Sequence, residues 1–193
     1  MFTSETICLP LSILFRYSLR TCKFPSDWKL ARVMPSFKRD DKSSPSNYKP
    51  ISLLSCVGKV MERVVYKYIY NYIIEHSLLY SYQSGFLPGH STVDQFLEIY
   101  HNICKNIDNR LSSIIIFCDI SKAFDRVWHK ALIKKTTAIL WYHWWSILLH
   151  WLDDYGSEIK QKVVVNNECV NPNTVKAGVS QGSVLDHFFF YST

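Results

Sequence analysis

The chain has 193 residues, of which 48% are hydrophobic and 15% aromatic, so it can bury a core in one domain or two small ones and is not a disordered chain. Its six widely spaced cysteines contain no Cys-x-x-Cys pair, which predicts reduced core thiols rather than a zinc site. The apolar run at residues 7–15 lacks the flanking charges of a signal peptide, and no run is long enough to span a membrane. We therefore expect an intracellular protein, in the nucleus or cytoplasm, that is not secreted.

The formal net charge of +6 is unevenly distributed. Residues 16–67 contain twelve Lys or Arg against four Asp or Glu, a net charge of +8, and the rest of the chain sums to −2. Lys38, Arg39, Lys42 and Lys49 cluster in a segment rich in Ser, Pro and Asp. A loop of this kind suits contact with phosphates, although many charged runs are only solvated surface, and both interpretations stay open.

The first half of the chain predicts two helices around a short strand. A helix over 10–22 has Pro10 in its first turn, and a strand over 31–35 is ended by proline. A polar loop over 38–50 precedes a long core helix over 55–79. Apolar residues at helical spacing define the buried stripe of that helix: Val57, Val60, Met61, Val64, Val65, Tyr68, Ile69, Tyr72 and Ile73.

Ser91 is a good N-cap and Asp94 would lie in the first turn, so a third helix is predicted over 92–107. Its apolar stripe consists of Val93, Phe96, Leu97, Tyr100 and Ile103. The residues over 114–119 then read as a strand covered on both faces, because four apolar residues, three of them β-branched, precede Asp119. An acid at the end of such a strand either binds a metal or caps the next helix, and the local pattern gives the two roles even odds.

The last third predicts a helix over 121–133, an apolar tryptophan-rich helix around 141–151 and a strand over 162–165. The tryptophans of the second helix are expected to lie in the core: Trp141, Trp144, Trp145 and Trp151. Gly178 and Gly182 follow in a segment that also contains Gln181. These glycines allow either a turn with positive φ or a close approach of the backbone to a ligand.

Several motifs in this order resemble the reverse transcriptase domain of non-LTR (LINE, jockey-like) retrotransposons. The resemblance covers nearly the whole chain, and the agreement of many ordered motifs makes it specific. The matching segments are Trp28-Lys29-Leu30-Ala31 with Val33 and Pro35, Phe37-Lys38, Asp41-Lys42, Ser46 to Ser55, Gly58-Lys59-Val60 with Glu62, Gln83-Ser84-Gly85-Phe86, Ser91-Thr92 with Asp94-Gln95, Asp119 to His129 and Gly178 to Leu185.

The resemblance implies an α/β (α+β) fold with the right-hand architecture of polymerases. Residues 1–108 would form a fingers-like region with a basic loop for triphosphate and template, and residues 109–193 an incomplete palm. It further implies an RNA-directed DNA polymerase that transfers nucleotides to a primer 3′-hydroxyl. Its partners would be an RNA template, a DNA primer and deoxynucleoside triphosphates, with no membrane.

The resemblance also assigns roles to single residues. Asp119 matches the first catalytic aspartate, which binds Mg²⁺ together with the backbone carbonyl of Ile120. Phe124 matches the bulky side chain that excludes a ribose 2′-hydroxyl. The remaining matched residues are expected to contact the nucleotide or the nucleic acid: Lys38, Lys49, Gln181 and Gly182 for the nucleotide, and Arg39 and Lys42 for the nucleic-acid backbone.

The second catalytic motif of the family, two aspartates on a tight hairpin, has no counterpart in residues 1–193, where only eleven residues follow Gly182. Asp119 is then the one matched metal carboxylate, too few for two magnesium ions. We expect a truncated remnant of a mobile element that is inactive as a polymerase by itself. The alternative is a non-enzymatic module that still binds RNA or DNA.

Overall fold

The computed structural model of the protein describes residues 2–120, 127, 133–134, 136–137, 146–165, 168–175, 178 and 182–185. These residues form both helices and strands. In chain order they are α1 (Phe2–Arg20), β1 (Leu30–Phe37), β2 (Tyr48–Leu53), α2 (Cys56–Glu75), α3 (Thr92–Asp108), α4 (Ser146–Gly156), β3 (Lys160–Val165), β4 (Glu168–Cys169) and β5 (Asn173–Thr174).

The strands form one mixed sheet in the order β2-β1-β3-β4, and β5 also pairs with β3. Strands β1 and β2 are antiparallel, whereas β1 and β3 are parallel. The predicted mixed α/β class is therefore confirmed. The strand predicted over 162–165 is β3.

Strand β1 does not end at Pro35 as predicted but continues to Phe37, with Pro35 opposite Pro50. The Lys38 N–H donates to the Asn47 carbonyl at 2.9 Å, so these two residues form a hydrogen-bonded pair. Hydrogen-bonded and non-hydrogen-bonded pairs alternate along an antiparallel ladder. The two prolines fall on a pair that exchanges no hydrogen bonds, so their missing N–H groups cost the ladder nothing. The polar loop accordingly ends earlier than expected, and Lys49 belongs to β2.

The core lies between α2, α4 and the link that joins α1 to β1. Helix α2 contributes every fourth residue from Met61 to Ile73, all at most 3% exposed, and α4 contributes the fully buried Trp151. Phe24, in the link, packs its ring edge-on against Trp151 at a centroid distance of 5.4 Å. The core role predicted for Trp151 is confirmed, whereas Trp141, Trp144 and Trp145 lie outside the described residues.

The predicted stripe of α2 is too broad. Val60, Val64 and Tyr68 are exposed, because they lie to one side of the line from Met61 to Ile73 that faces α4 and Phe24. The first helix is also longer than predicted, since α1 begins at Phe2 and holds Pro10 in its interior. Proline lacks one N–H donor, and here α1 continues through that position.

The predicted strand over 114–119 is wrong. Residues 111–120 have no regular secondary structure, and Ile114, Ile116 and Phe117 are more than 80% exposed. A buried strand exists only where neighbouring strands take up its backbone hydrogen bonds, and none of the described strands pairs with this segment. The helix predicted over 121–133 lies almost wholly outside the described residues.

Helix α3 begins as predicted. The Ser91 hydroxyl accepts from the Asp94 N–H, and the Asp94 carboxylate accepts from the Ser91 N–H at 2.9 Å, a complete capping box. No residue of α3 is buried, so its apolar stripe is not part of the core. Phe96 is 67% exposed, since no described element covers this face.

The six cysteines are all free, as expected for reduced thiols, but they do not lie in the core. Four of them are exposed, and Cys22 and Cys104 are partly exposed. No helix in the described part of the chain is long and apolar enough to cross a membrane.

Candidate nucleotide and nucleic-acid site

The basic loop between β1 and β2 is held in shape by its own hydrogen bonds. The Asp41 carboxylate accepts from the Ser43 N–H at 2.9 Å and from the Ser43 hydroxyl, and these bonds lower the pKa of Asp41. The Asn47 side-chain amide donates to the Asp41 carbonyl at 2.8 Å, and the Tyr48 hydroxyl donates to the Lys42 carbonyl at 2.9 Å. The loop is therefore anchored at both ends while its cations stay at the surface.

Strands β1 and β2 and the basic loop between them, residues 30–53, are called the basic ribbon below. Its predicted cations, Lys38, Arg39, Lys42 and Lys49, are all exposed. Lys38 and Lys49 are close to each other in the ladder, next to the pair formed by Phe37 and Tyr48. Lys42 places its Nζ 5.6 Å from the centre of the Phe37 ring, a cation–π contact that turns it back toward β1. Arg39 lies only 3.7 Å from the Asp40 carboxylate, an exposed pair that solvent weakens. The loop can thus present several positive charges to phosphates.

Gly182 lies against the end of β2. Its φ is +119°, and a Cβ built there would lie 3.0 Å from the Ser52 carbonyl oxygen and 4.0 Å from the Lys59 Nζ. Both the positive φ, which was one of the two expected explanations, and the close backbone approach require glycine here. The structure therefore brings Gly182 to the strand that carries Lys49 and to the first turn of α2. Gln181 lies outside the described residues.

A buried carboxylate holds the turn that follows Gly182. Glu62, on α2, is 2% exposed and accepts from the Ser183 hydroxyl at 2.8 Å and from the Val184 N–H at 2.6 Å. The Ser183 hydroxyl lies 2.8 Å from the Tyr155 hydroxyl and accepts from the Leu185 N–H at 3.1 Å. The turn is therefore fixed to both α2 and α4.

Burial raises the pKa of Glu62, although the hydrogen bonds from Ser183 and Val184 act in the opposite direction. Sequence reasoning assigned no role to Glu62, even though it stands in a matched segment. The only signal available was an acid between Met61 and Val65, on the side of the helix that carries the buried line. Ser183 and Val184 lie more than 120 residues away from Glu62, so a local pattern could not identify them as its partners.

Asp119 and Ile120 lie at the end of the exposed segment over 111–120. Within the described part of the chain no group of three or more His, Cys, Asp or Glu residues is arranged to hold a metal ion. Mg²⁺ prefers six oxygen ligands, so the described residues do not by themselves fit this ion. Phe124 lies outside the described residues. The metal-binding and catalytic roles of Asp119 stay predictions.

A mixed sheet with a basic ribbon and a glycine turn docked at its edge agrees with the resemblance found in the sequence. The sequence model of the family described as reverse transcriptase (RNA-dependent DNA polymerase) matches residues 38–190. The chain therefore belongs to the reverse transcriptase family.

Relatives of the chain include proteins from mobile elements of Drosophila melanogaster. The chain is 34% identical over 178 residues to the probable RNA-directed DNA polymerase from transposon BS and 32% identical over 178 residues to that from transposon X-element. It is 27% identical over 176 residues to the RNA-directed DNA polymerase from mobile element jockey. These alignments cover 92%, 92% and 91% of this chain but 19% of each relative, so the chain spans about a fifth of their length. The resemblance to non-LTR retrotransposon reverse transcriptases is confirmed.

Proposed function

We propose that this chain is the part of a retrotransposon reverse transcriptase that binds the incoming deoxynucleoside triphosphate and the template. In this assignment residues 1–108 are the fingers and residues 109–193 contribute part of the palm. Lys38 and Lys49 hold the triphosphate, while Arg39 and Lys42 contact the nucleic-acid backbone. The observation that carries the proposal is Gly182 docked against Ser52 of β2, because it joins the glutamine-glycine segment to the basic ribbon.

Charge and geometry together support these roles. A triphosphate carries several negative charges, which lysine side chains stabilise as mobile point charges. The missing side chain of Gly182 lets the turn pack directly on the Ser52 carbonyl, so the segment that follows Gln181 is fixed beside β2. Gln181 would lie beside the triphosphate, and Phe124 would select deoxynucleotides by excluding a 2′-hydroxyl. An intracellular location and Mg²⁺ as the metal accompany this proposal as expectations.

Asp119 is proposed as a metal-binding carboxylate of the polymerase reaction, with the Ile120 carbonyl as a further ligand. A magnesium ion held there would favour deprotonation of the primer 3′-hydroxyl and would neutralise charge on the triphosphate. Residues 1–193 contain no matched pair of aspartates to complete such a site. We therefore assign the binding steps to this chain and expect the nucleotidyl transfer to need residues that these 193 do not supply.

The test measures binding and extension on the same protein. Fluorescence anisotropy with a labelled primer–template should show affinity that falls steeply with salt, as expected for phosphate contacts. The variant Lys38→Gln/Lys49→Gln should weaken binding of a labelled deoxynucleoside triphosphate by at least about tenfold, because two charge-assisted contacts of more than about 1 kcal/mol are removed. The matched control, Lys67→Gln/Lys105→Gln, changes the net charge equally at exposed positions elsewhere and should bind normally.

Primer extension with Mg²⁺ should be absent from the chain alone. Template-dependent extension that disappears in Asp119→Ala would contradict the assignment of binding steps only. Nucleotide binding that is equal in the Lys38/Lys49 variant and the control would contradict the triphosphate role. The alternative of a non-enzymatic nucleic-acid-binding remnant predicts salt-dependent binding of nucleic acid without any binding of the triphosphate.

A further inference from the structure

Strands β1, β2 and β3 carry four cationic residues and no Asp or Glu. Two of the four, Lys160 and Lys162, come from β3, more than 90 residues after the basic first third of the chain. The sheet brings them next to Leu30 and Arg32 of β1, on the strand that leads into the basic loop.

All four cations lie on one face of the sheet. Arg32 pairs directly with Lys162, and Lys49 pairs with Ser36, which is four residues along β1 from Arg32. Lys160 precedes Lys162 by two residues. Because side chains alternate between faces with a period of two and paired residues share a face, these positions all point the same way.

The opposite face is the core face. It carries Ala31, Val33 and Ser52, which are 0%, 6% and 5% exposed. The cationic face therefore points to solvent. Arg32, Lys49 and Lys160 are exposed, Lys162 is half-buried, and the apolar side chains between them are also partly exposed: Met34, Ile51 and Leu53.

These charges are uncompensated within the described part of the chain. The ion pairs found there join Lys23 and Lys29 to Asp154 and Arg39 to Asp40, and none involves the sheet cations. Arg32 and Lys162 stand directly opposite each other on neighbouring strands, an arrangement of like charges that destabilises a sheet. A bound polyanion would remove this repulsion.

We propose that Arg32, Lys160 and Lys162 form a basic sheet face that binds the phosphate backbone of a nucleic-acid strand, which runs along the sheet toward Lys49 and the proposed triphosphate site. The inference rests on the proposed function and extends it from the basic loop to a surface built by β1 and β3. From Lys160 to Lys49 this path covers six residue steps, about 20 Å at about 3.3 Å per residue. One strand of a duplex presents about six phosphates over that length, at about 3.4 Å each.

A nucleic acid fits this face better than an acidic protein does. The cations are spread along the strands over the whole length, as a linear polyanion requires, and the apolar side chains lie between them where sugars would pass. An acidic protein patch would match the charge but has no corresponding regular spacing. It serves as the competing partner in the test.

The first experiment compares two double variants of equal net charge. Arg32→Gln/Lys162→Gln removes the cross-strand pair, and Lys67→Gln/Lys105→Gln is the control. Affinity for a labelled single-stranded RNA is measured over a salt series. The sheet-face variant should lose about 1.4 from the slope of log K against log salt, at about 0.7 for each phosphate contact, and the control should keep the full slope.

The second experiment separates binding from folding. Lys162→Glu places a carboxylate opposite Arg32, so it replaces repulsion with attraction in the free protein. Its melting temperature should be equal to or higher than that of the unmodified chain, while its RNA affinity falls by at least about tenfold through loss of one phosphate contact and repulsion by the new charge. A merely structural role for Lys162 predicts that affinity and melting temperature fall together.

Three outcomes overturn the inference. If the sheet-face variant and the control bind RNA equally while the unmodified chain binds with a steep salt slope, the basic sheet face is wrong and the proposed function stands. If the unmodified chain does not bind RNA, both fail. If poly-glutamate competes with RNA as strongly as an unlabelled RNA of equal charge, the surface recognises acidic polymers in general and the nucleic-acid assignment fails.

Discussion

Helices α2 and α3 are similar in length, 20 and 17 residues, and both carry apolar residues at helical spacing. Yet α2 buries a continuous line from Met61 to Ile73, whereas α3 buries nothing. The difference lies in what each helix meets. An amphipathic stripe shows that a helix needs a partner, and it does not show that the partner is present.

The surroundings of the two helices explain the contrast. Helix α2 packs on Phe24, Trp151 and Leu152, which come from two other parts of the chain. The apolar side of α3 instead borders an open groove of about 520 Å³, shared with the preceding loop and with Ile115 and Phe117. The segment that was predicted to be a strand thus lines a groove beside α3 without covering it.

The largest expected effect breaks the packed region. Trp151→Ala removes a fully buried indole, with its ring contacts and its N–H donation to the Ser18 hydroxyl at 3.0 Å, and should reduce the free energy of unfolding by about 3–5 kcal/mol. Urea denaturation measures this. Phe96→Ala on α3 is the control and should change it by at most about 0.5 kcal/mol. Equal losses in the two variants would show that α3 is covered in solution.

A smaller effect is expected where α4 is tied to the α1–β1 link. Asp154 accepts from Lys23 and Lys29 at 2.8 Å each and from the Phe24 N–H at 2.9 Å. Asp154→Asn should cost about 2–3 kcal/mol near neutral pH, because Lys29 is left largely buried beside a neutral amide.

This loss should depend on pH. Burial alone would raise the pKa of Asp154, but the hydrogen bonds from Lys23 and Lys29 outweigh it and hold this pKa below its usual 3.8. The carboxylate therefore stabilises the fold above pH 3.8, and its contribution disappears as the pH falls through the lowered pKa. The difference between Asp154→Asn and the unmodified chain should shrink in acid. A difference that is constant down to pH 2 would contradict the ion-pair account.

The smallest expected effect concerns Glu62. Its dependence on pH is opposite to that of Asp154, because stability falls as the pH rises. Since burial raises the pKa of Glu62 above 4.5 in the folded state, the chain should lose stability as the pH rises from 4.5 through the raised value. Glu62→Gln keeps the shape and an acceptor oxygen for Ser183 and Val184 but carries no charge. Urea midpoints from pH 4.5 to 8 should show the variant gaining relative to the unmodified chain. Parallel profiles would indicate that Glu62 is not desolvated.

Much of the local structure was predictable from sequence. The capping box at Ser91 and Asp94, the start of α2, the strand β3 and the core role of Trp151 follow from residue type and spacing alone. The order of motifs also indicated the reverse transcriptase family before any fold was known. Roles for Phe124 and Gln181 were predicted in the same way and stay predictions, because both lie outside the described residues.

Long-range relations were not predictable. The hydrogen bonds of Glu62 to Ser183 and Val184, the approach of Gly182 to Ser52 and the pairing of Arg32 with Lys162 each join distant parts of the chain. The strand predicted over 114–119 failed for the same reason. Period and composition describe what one segment favours, whereas a strand exists only through hydrogen bonds to another.

The sequence by itself determined the family, the helix caps, the basic loop and the candidate residues of the polymerase site, because these depend on residue type and local spacing. Only the tertiary structure decided which apolar stripe is buried, which carboxylate holds the glycine turn and which face of the sheet collects the cations. Those outcomes depend on strand register and on contacts between elements far apart in the chain, where free energy is gained only after the partners meet.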